Sequence, residues 1–207
     1  MEKYKLIKNT QYWDEYYGDK KDILPNSDFA NFTLSYLEPG SNLIDIGCGD
    51  GRDSLFFSRN HIETLGVDFS KVTISKNKVF ENKNLKFKRL NLMKIDNLSQ
   101  KFNYAYCRFL LHAISVEIQD QTFDWMSKNI SDKIFIETRI ADQNIDSRKY
   151  NHYRRDFTED DLVKSLESFK FNIQYFKVSR DFSKYKKTYR VKDLNHDPLL
   201  LRIIIQK

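Results

Sequence analysis

Hydrophobic positions along the chain alternate between short continuous runs and the three-to-four spacing of amphipathic helices. Five buried strands are predicted at the runs "NLIDIG", "IETLGVD", "LKFKRLNL", "FNYAYCRFLL" and "DKIFIETR". Helical spacing is found between them in the segments "RDSLFFSRN", "SKVTISKNKVFEN" and "SVEIQDQTFDWMSKNI". Repeated alternation of strand and helix is typical of an α/β fold in which helices cover both faces of a parallel sheet.

A further helix is predicted ahead of the first strand. The segment "NSDFANFTLSYLEPG" has apolar residues near helical spacing, and Ser27 or Asp28 can serve as the N-cap. The Pro-Gly pair that follows cannot continue a helix. We therefore expect this helix to end at Leu37 or Glu38.

The last third of the chain breaks the alternation. The segment "TEDDLVKSLESF" predicts a helix in which Thr158 is the N-cap and Asp161, three residues on, resembles a capping box. Two consecutive strands follow at "FNIQYFKVS" and "PLLLRIIIQ". Consecutive strands without a helix between them indicate that an antiparallel pair closes the sheet.

The length of 207 residues suits one domain spanning residues 1–207, in which residues 1–40 form an N-terminal helical segment. No apolar stretch approaches the roughly 18 residues of a membrane span, and the start "MEKYKLIKNTQYW" lacks the apolar centre of a signal peptide. We expect a cytoplasmic protein. Cys48 and Cys107 belong to no spaced cluster of metal ligands, so we expect reduced thiols and no metal site.

The net charge of +6 changes this picture little, because lysine is abundant throughout the chain. Its placement is more informative. Basic residues gather at "SRKYNHYRRDF" and "SRDFSKYKKTYRVK", where they form either an anion-attracting rim or a solvated basic surface.

Glycine is concentrated in one short stretch, "LIDIGCGDGRDSLFF". Three of the six glycines, Gly47, Gly49 and Gly51, follow the first predicted strand directly. In open parallel sheets a ligand binds beyond the carboxyl ends of the strands, where a glycine-rich turn lets it approach the backbone. Asp68 ends the next strand about 20 residues on, where a carboxylate can accept hydrogen bonds from two ribose hydroxyls.

The spacing of these residues separates two classes of cofactor. A dinucleotide site has the pattern G-x-G-x-x-G, with a pyrophosphate at the helix N-terminus. Here the order is G-C-G-D-G-R-D, and Asp50 would repel a pyrophosphate. An acidic turn suits a cofactor with a positive sulfonium and an amino-acid tail better. A tight turn that binds no ligand is the remaining alternative.

These motifs resemble those of the class I S-adenosylmethionine-dependent methyltransferases. "LIDIGCGDGRDSLFF" is similar to the first motif of that family, "GVDFS" to the acidic second motif, "NLM" to the adenine-contacting position and "YCRFLLHAI" to the segment after the fourth strand. The resemblance implies a Rossmann-like three-layer sandwich whose seven-stranded sheet is mostly parallel, with an antiparallel C-terminal strand. It implies "LLLRIII" as the final edge strand, S-adenosylmethionine as cofactor and S-adenosylhomocysteine as product.

The resemblance also implies a set of cofactor-binding residues. Gly47, Gly49 and Gly51 would line the methionine and ribose, Asp45 would brace the turn, and Asp68 would hold the ribose hydroxyls. The full implied set is Asp45, Gly47, Cys48, Gly49, Gly51, Asp68, Phe69, Ser70, Asn91, Leu92 and Arg108. Asn91 stands where the family usually has aspartate, and its amide can accept from the adenine amino group while it donates to a ring nitrogen.

Three segments are candidates for the acceptor site, and two of them follow the fourth and fifth predicted strands. His112 follows the fourth predicted strand, and it either removes a proton from a hydroxyl acceptor or only packs and orients its loop. The segment "KYNHYRRDF" follows the fifth strand. In this segment His152 is a second candidate catalytic residue. The candidate substrate-binding residues there are Tyr150, Tyr153, Arg154 and Arg155. Its arginines suit phosphate or carboxylate oxygens, or pair with the acidic residues at the start of the next helix.

The aromatic segment "YWDEYYGDK" near the N-terminus is the third candidate. It folds back over the cofactor as a lid, or Trp13 and Tyr17 pack on the edge of the sheet. As a lid it would bring Tyr16 to the reacting atoms as a catalytic residue and Tyr17 to the substrate.

The combined pattern is similar to methyltransferases of bacterial surface-polysaccharide pathways. That similarity implies O-methylation of a sugar, a sugar phosphate or a phosphoryl group, with a small or glycan-linked and possibly phosphorylated acceptor. An RNA or DNA methyltransferase and a small-molecule acid methyltransferase are the alternatives. A nucleic-acid partner is not expected, because the chain lacks the Asn/Asp-Pro-Pro-aromatic motif of amino-methylating enzymes. A non-catalytic module and a nicotinamide enzyme are two weaker alternatives, disfavoured by the glycine and aspartate motifs.

Overall fold

The computed structural model describes residues 11–19, 24–142, 153–182 and 197–207. Within these ranges one sheet contains the strands β1 Asn42–Ile46, β2 Glu63–Asp68, β3 Leu85–Arg89, β4 Tyr104–Arg108, β5 Lys133–Arg139, β6 Asn172–Ser179 and β7 Leu200–Gln206. The strand order is β3-β2-β1-β4-β5-β7-β6. Parallel pairing joins β1 to β2 and β4, β2 to β3, and β4 to β5. The predicted α/β fold with a seven-stranded, mostly parallel sheet is confirmed.

The position of the last strand differs from the prediction. β7 lies between β5 and β6 and pairs antiparallel with both, so the edge of the sheet is β6. Residues 200–205 of β7 are buried, whereas Ile173 and Phe176 of β6 are exposed. A continuous apolar run is what a strand covered on both faces requires, and the more polar β6 tolerates the edge. Placing "LLLRIII" at the edge was therefore wrong.

The helices in the described ranges are α1 at residues 11–18, α2 Asp28–Leu34, α3 Arg52–Arg59, α4 Lys71–Asn77, α5 Val116–Asn129 and α6 Glu159–Ser168. None of them is long and apolar enough to cross a membrane. α2 ends earlier than predicted, because the Ser35 hydroxyl donates to the carbonyl of Phe32 at 2.8 Å and Tyr36 N–H bonds Thr33 O at 2.9 Å. Bonds of this shorter span tighten a helix into its final turn.

Serine and threonine begin four of these helices. Ser27, Ser70, Ser115 and Thr158 each accept a backbone N–H of the first turn of α2, α4, α5 and α6, respectively. The capping box predicted for α6 is present, since Asp161 N–H donates to the Thr158 hydroxyl at 3.2 Å and Thr158 N–H donates to the Asp161 carboxylate at 2.8 Å. Local capping signals therefore fix where these helices start.

Apolar side chains fill both faces of the sheet. α5 and α6 cover one face, where Phe123, Met126 and Leu162 pack on the sheet; α2 and α3 cover the other face through Phe29 and Phe57. The predicted three-layer sandwich is thus confirmed. Because β1, β2, β4 and β5 run in parallel, their carboxyl ends meet at one edge of the sheet, and the candidate residues lie at this edge.

Candidate active site

The turn after β1 is built from three glycines in left-handed conformations. Gly47, Gly49 and Gly51 have φ values of 78°, 52° and 75°. A Cβ at position 49 would overlap the phenol oxygen of Tyr17, and a Cβ at position 51 would lie 2.9 Å from the ring of Phe87. The protein's own packing therefore explains why glycine is required here. Binding of a cofactor by these glycines stays a prediction.

Asp45 ties this turn to the following helix. Its carboxylate is 2% exposed and accepts a hydrogen bond of 2.5 Å from the Ser54 hydroxyl of α3. Burial raises the pKa of Asp45 to about 8, an effect that the Ser54 hydrogen bond opposes. The neighbouring Cys48 is a buried free thiol whose pKa burial also raises. Both side chains therefore favour their protonated forms.

Asp68 links the glycine turn to the loop after β2. One carboxylate oxygen accepts Gly49 N–H at 3.0 Å, and the other accepts Ser70 N–H at 2.8 Å. Burial raises the pKa of Asp68 above its usual range, although both backbone hydrogen bonds oppose the shift. The carboxylate thus holds together the two turns that the sequence predicts for the cofactor. Its contact with ribose hydroxyls stays a prediction.

Helix α1 lies over these same turns. The Tyr17 phenol packs on Gly49, and Asp14 accepts a hydrogen bond from the Ser70 hydroxyl. Lys76 Nζ of α4 donates to the carbonyls of Tyr17 at 2.9 Å and Gly18 at 2.6 Å. Tyr17 is therefore placed beside the predicted cofactor residues. Its predicted contact with the methyl acceptor is not tested by this placement.

Tyr16 has a different environment from its neighbour. It is 39% exposed, and its ring meets that of Tyr17 edge-on at 5.1 Å. Burial raises the pKa of the Tyr17 phenol well above its usual range, and the nearby Asp68 and Asp50 raise it further. The catalytic role predicted for Tyr16 stays a prediction.

The residues predicted at the adenine lie after β2 and β3. Asn91 Oδ1 accepts Met93 N–H at 3.0 Å and so caps the 3-10 turn Leu92–Asn97. The carbonyl of Phe69 accepts Arg89 Nε–H at 3.0 Å. Asn91 therefore has a local structural role, and its contact with adenine stays a prediction.

A buried ion-pair triad crosses β4, β5 and β7. Glu137 is 1% exposed and accepts Arg108 Nε–H at 2.8 Å with one oxygen and Arg202 Nε–H at 2.6 Å with the other. The cofactor contact of Arg108 stays a prediction, and its ion-pair partner Glu137 and the third member, Arg202, were not expected from the sequence. The available signal was a charged residue inside each of the apolar runs "KIFIETR" and "LLLRIII".

Phe109, the residue after β4, has an unusual backbone conformation. Its φ is 57°, a left-handed value rare for a residue with a bulky side chain. The guanidinium carbons of Arg108 and Arg139 lie 4.0 Å and 5.5 Å from the centre of its ring. The strand predicted through "RFLL" therefore stops at Arg108. Sequence periodicity gave no sign of this turn.

His112 follows on the 3-10 turn Leu111–Ala113. It is 6% exposed, and its Nδ1 lies 3.4 Å from the Thr138 hydroxyl of β5. Arg155 holds the turn in place, since its backbone N–H donates to His112 O at 2.8 Å and its Nη2 donates to Leu111 O at 3.2 Å. Arg155 thus has a structural role at this turn, and its predicted contact with the acceptor stays a prediction.

The remaining candidates of this segment divide into two groups. Tyr153 and Arg154 are half-buried beside Arg155. Tyr150 and His152 lie outside the described residues. The roles predicted for these four residues stay predictions. Of the other charged and titratable residues, the structure brings His112, Arg108 and Arg139 to the same end of the sheet.

A parallel sheet with a glycine turn after β1 and a carboxylate ending β2 defines a class of nucleotide-cofactor-binding α/β proteins. The family model described as "Methyltransferase domain" matches residues 19–174, and the chain belongs to this family. This domain class is that of methyltransferases that use S-adenosylmethionine, which is the class and cofactor that the sequence predicts.

Solved structures of low sequence identity share the fold. A methyltransferase from Methanosarcina mazei has a TM-score of 0.67 at 17% identity, covering 89% of this chain and 99% of that one. Magnesium protoporphyrin IX methyltransferase from Synechocystis PCC 6803, with bound S-adenosylhomocysteine, scores 0.65 at 15% identity, covering 97% and 84%. The [4+2]-cyclase SpnF scores 0.69 at 16% identity, covering 90% and 84%. These likenesses show the fold alone.

One curated relative is similar in sequence over a shorter stretch. Protein RP028 of Rickettsia prowazekii (strain Madrid E) is 33% identical over 97 residues, which are 42% of this chain. The matched stretch spans 38% of that protein's length. The relative therefore adds nothing on substrate or partners.

The residues of the glycine turn fit this cofactor. Asp50 belongs to the turn, Asp68 accepts Gly49 N–H of the turn, and Asp14 accepts from Ser70 in the neighbouring loop. After burial, the carboxylates of Asp68 and Asp50 are the next causes that raise the pKa of Tyr17. Such a group of carboxylates attracts the sulfonium and ammonium groups of S-adenosylmethionine and repels a pyrophosphate. The local charge thus favours the methyl donor over a dinucleotide.

Proposed function

We propose that this methyltransferase modifies an oxygen atom of a small acceptor that carries an anionic group. The acceptor class we propose is a sugar, a sugar phosphate or a phosphoryl group of a surface-glycan precursor. The supporting observation is the position of Arg108 and Arg139 at the carboxyl ends of β4 and β5. Both guanidiniums lie against Phe109, whose ring centre is 6.0 Å from that of His112. Guanidinium groups suit phosphate and carboxylate oxygens.

When bound, S-adenosylmethionine supplies a methyl group already activated by its sulfonium. The chain must therefore align the acceptor, exclude water, and remove a proton if the acceptor atom is a hydroxyl. A phosphate monoester is an anion already and needs positioning by cations, not a base. These two acceptor types place different demands on His112.

Hydrogen bonding around His112 supports a role as base. The Thr138 hydroxyl donates to Arg139 O at 3.3 Å, so toward His112 it acts as an acceptor. In our proposal His112 therefore carries its proton on Nδ1, and Nε2 presents the lone pair. Nε2 is then the nitrogen that takes the proton of an acceptor hydroxyl.

The proposal includes residues 1–40 as a lid within a single domain of residues 1–207. The contacts of α1 with Gly49, Ser70 and Lys76 support a lid over the cofactor turns. We also propose a cytoplasmic location, which the two buried free thiols support because such thiols persist in reducing compartments.

Methyl transfer from labelled S-adenosylmethionine to a panel of acceptors tests the proposal. The panel contains sugar phosphates, neutral sugars, small carboxylic acids and RNA. We expect product with phosphorylated sugars. With a hydroxyl acceptor, His112→Gln lowers kcat about 100-fold or more, since general bases contribute factors of this size. With a phosphoryl acceptor the same substitution leaves kcat within a few-fold.

Lys83→Gln, an exposed change in the turn before β3, is the matched control and keeps wild-type kcat. Product from RNA alone would overturn the proposal in favour of a nucleic-acid methyltransferase. Product from carboxylic acids alone would overturn the glycan assignment while keeping an anionic acceptor, because the same arginines suit a carboxylate.

A further inference from the structure

Phe109 holds a left-handed backbone at the edge where the strands end. For a phenylalanine this conformation costs free energy, and such residues persist where surrounding contacts impose them. Here Phe109 N–H donates to the Glu137 carbonyl at 2.8 Å, which continues the pairing of β4 with β5 for one more residue. The turn directs the ring toward two arginine side chains. Backbone strain that is retained at Phe109 indicates that its ring has a functional role.

The ring brings two positive charges together. Arg108 and Arg139 both lie against Phe109, with guanidinium carbons 4.0 Å and 5.5 Å from its centre. The two guanidiniums are therefore no farther apart than the sum of these distances. Cation–π attraction favours each contact, and the Glu137 carboxylate offsets the charge of Arg108. Two guanidiniums beside one ring offer donors that suit an oxyanion.

The Arg108 side chain is held by the ion pair with Glu137. Its Nε donates to Glu137, whose other oxygen accepts Arg202 Nε–H. Arg202 is itself packed 4.2 Å from the centre of the Phe182 ring and donates to Phe182 O at 3.2 Å. The guanidinium of Arg108 therefore cannot swing freely. Groups held in this way lose little entropy when they bind a ligand.

We propose that Phe109 is a positioning residue that holds Arg108 and Arg139 as a pair for one oxyanion of the methyl acceptor. The oxyanion is a phosphate monoester or a carboxylate, which share the fork geometry that arginine recognises. The centre of the His112 ring lies 6.0 Å from that of Phe109, so a small acceptor bound by this pair reaches the candidate base. This inference rests on the proposed anionic acceptor and assigns its binding residues.

Binding of two small anions to the protein loaded with S-adenosylhomocysteine tests this inference. The probes are phenyl phosphate and benzoate, with benzyl alcohol as the neutral analogue, and calorimetry gives each dissociation constant. We expect at least one anion to bind and benzyl alcohol not to. Phe109→Leu weakens the anion about tenfold or more and leaves the affinity for S-adenosylhomocysteine within twofold. Phe80→Leu, which changes an exposed ring before β3, is the matched control.

Two further variants separate positioning from folding. Phe109→Gly removes the ring but suits the left-handed backbone, so the variant still unfolds cooperatively on heating, and it loses the anion. Arg139→Gln loses about as much affinity as Phe109→Leu, and the double variant loses less than the product of the two factors, because the residues act together. Phosphate and carboxylate recognition are distinguished by which probe binds the wild type more tightly.

Three other binding results would each overturn a part of the proposal. Equal anion affinity of the wild type and both Phe109 variants would overturn the role of Phe109 and leave the anionic acceptor standing. Binding of S-adenosylhomocysteine without either anion would overturn both this inference and the anionic acceptor. Equal affinity for benzyl alcohol and the anions would show that the protein recognises the aromatic ring of the probes. That result would overturn the paired-arginine site.

Discussion

At the scale of single residues, Gly49 meets two constraints at once. Its φ of 52° disfavours any side chain, and a Cβ would overlap the Tyr17 phenol. We expect Gly49→Ala to lower the free energy of unfolding by about 1 to 3 kcal/mol. Urea unfolding measures this. Gly18→Ala is the control, because no atom lies within 4 Å of the added methyl, and its effect stays within about 0.5 kcal/mol. Equal effects of the two substitutions would contradict the account.

Asp45 gives the fold a pH dependence. Its pKa of about 8 in the folded protein lies far above the value of about 3.9 in an unfolded chain. The folded state therefore binds the proton more tightly, and this contribution is fully present below about pH 4 and is lost as pH rises through 8. The ionised form is the destabilising one.

Asp45→Asn removes this titration and keeps an oxygen that can accept from Ser54. Between pH 5 and 8 the wild type loses stability relative to the variant, by at most about 1.4 kcal/mol per pH unit. Urea unfolding of both proteins at several pH values checks it. Parallel pH profiles would show that Asp45 ionises normally in the folded state.

How far the sequence predicts site residues depends on how local their contacts are. Asp45, Gly49 and Asp68 could be predicted as site residues because they belong to two short motifs separated by about 20 residues; their contacts with the cofactor stay predictions. Glu137 and Phe109 were missed, since their roles arise from pairing between strands that are distant in the chain. Spacing along one segment carries no information about such pairings.

At the scale of elements, α1 is attached by its last carbonyls to Lys76 of α4. A cation at these carbonyls stabilises the end of a helix. Lys76→Met should therefore loosen the proposed lid and speed the dissociation of S-adenosylhomocysteine about fivefold, the factor that corresponds to about 1 kcal/mol. Stopped-flow measurement of dissociation tests this. Lys83→Met is the control, and equal rates in the two variants would show that α1 is no lid.

Element boundaries were predictable where a side chain marks them. The start of α6 at Thr158 was predicted from its capping box, which the structure confirms. The end of β4 was not, because the left-handed turn at Phe109 interrupts an apolar run that continues through Leu111. The position of β7 inside the sheet, between β5 and β6, was also missed, although its apolar residues on both faces indicate it.

At the scale of the whole molecule, Glu137 joins three strands through its two arginine partners. Removing one member of a buried ion-pair group leaves the others without compensation, so Glu137→Gln should lower the free energy of unfolding by about 3 kcal/mol. Guanidinium-induced unfolding measures the loss. Glu167→Gln, an exposed change in α6, is the control and stays near wild type. A loss no larger than in this control would mean that the triad adds no stability.

The central claim is that the turns around Asp68 bind S-adenosylmethionine. Calorimetry of the wild type, Asp68→Asn and the exposed control Glu63→Gln at the opposite end of β2 tests it most directly. We expect micromolar-range binding of S-adenosylmethionine and S-adenosylhomocysteine, weakened about tenfold or more in Asp68→Asn and unchanged in Glu63→Gln. Thermal unfolding confirms that the variants are folded. Failure of the folded wild type to bind either compound would contradict the account.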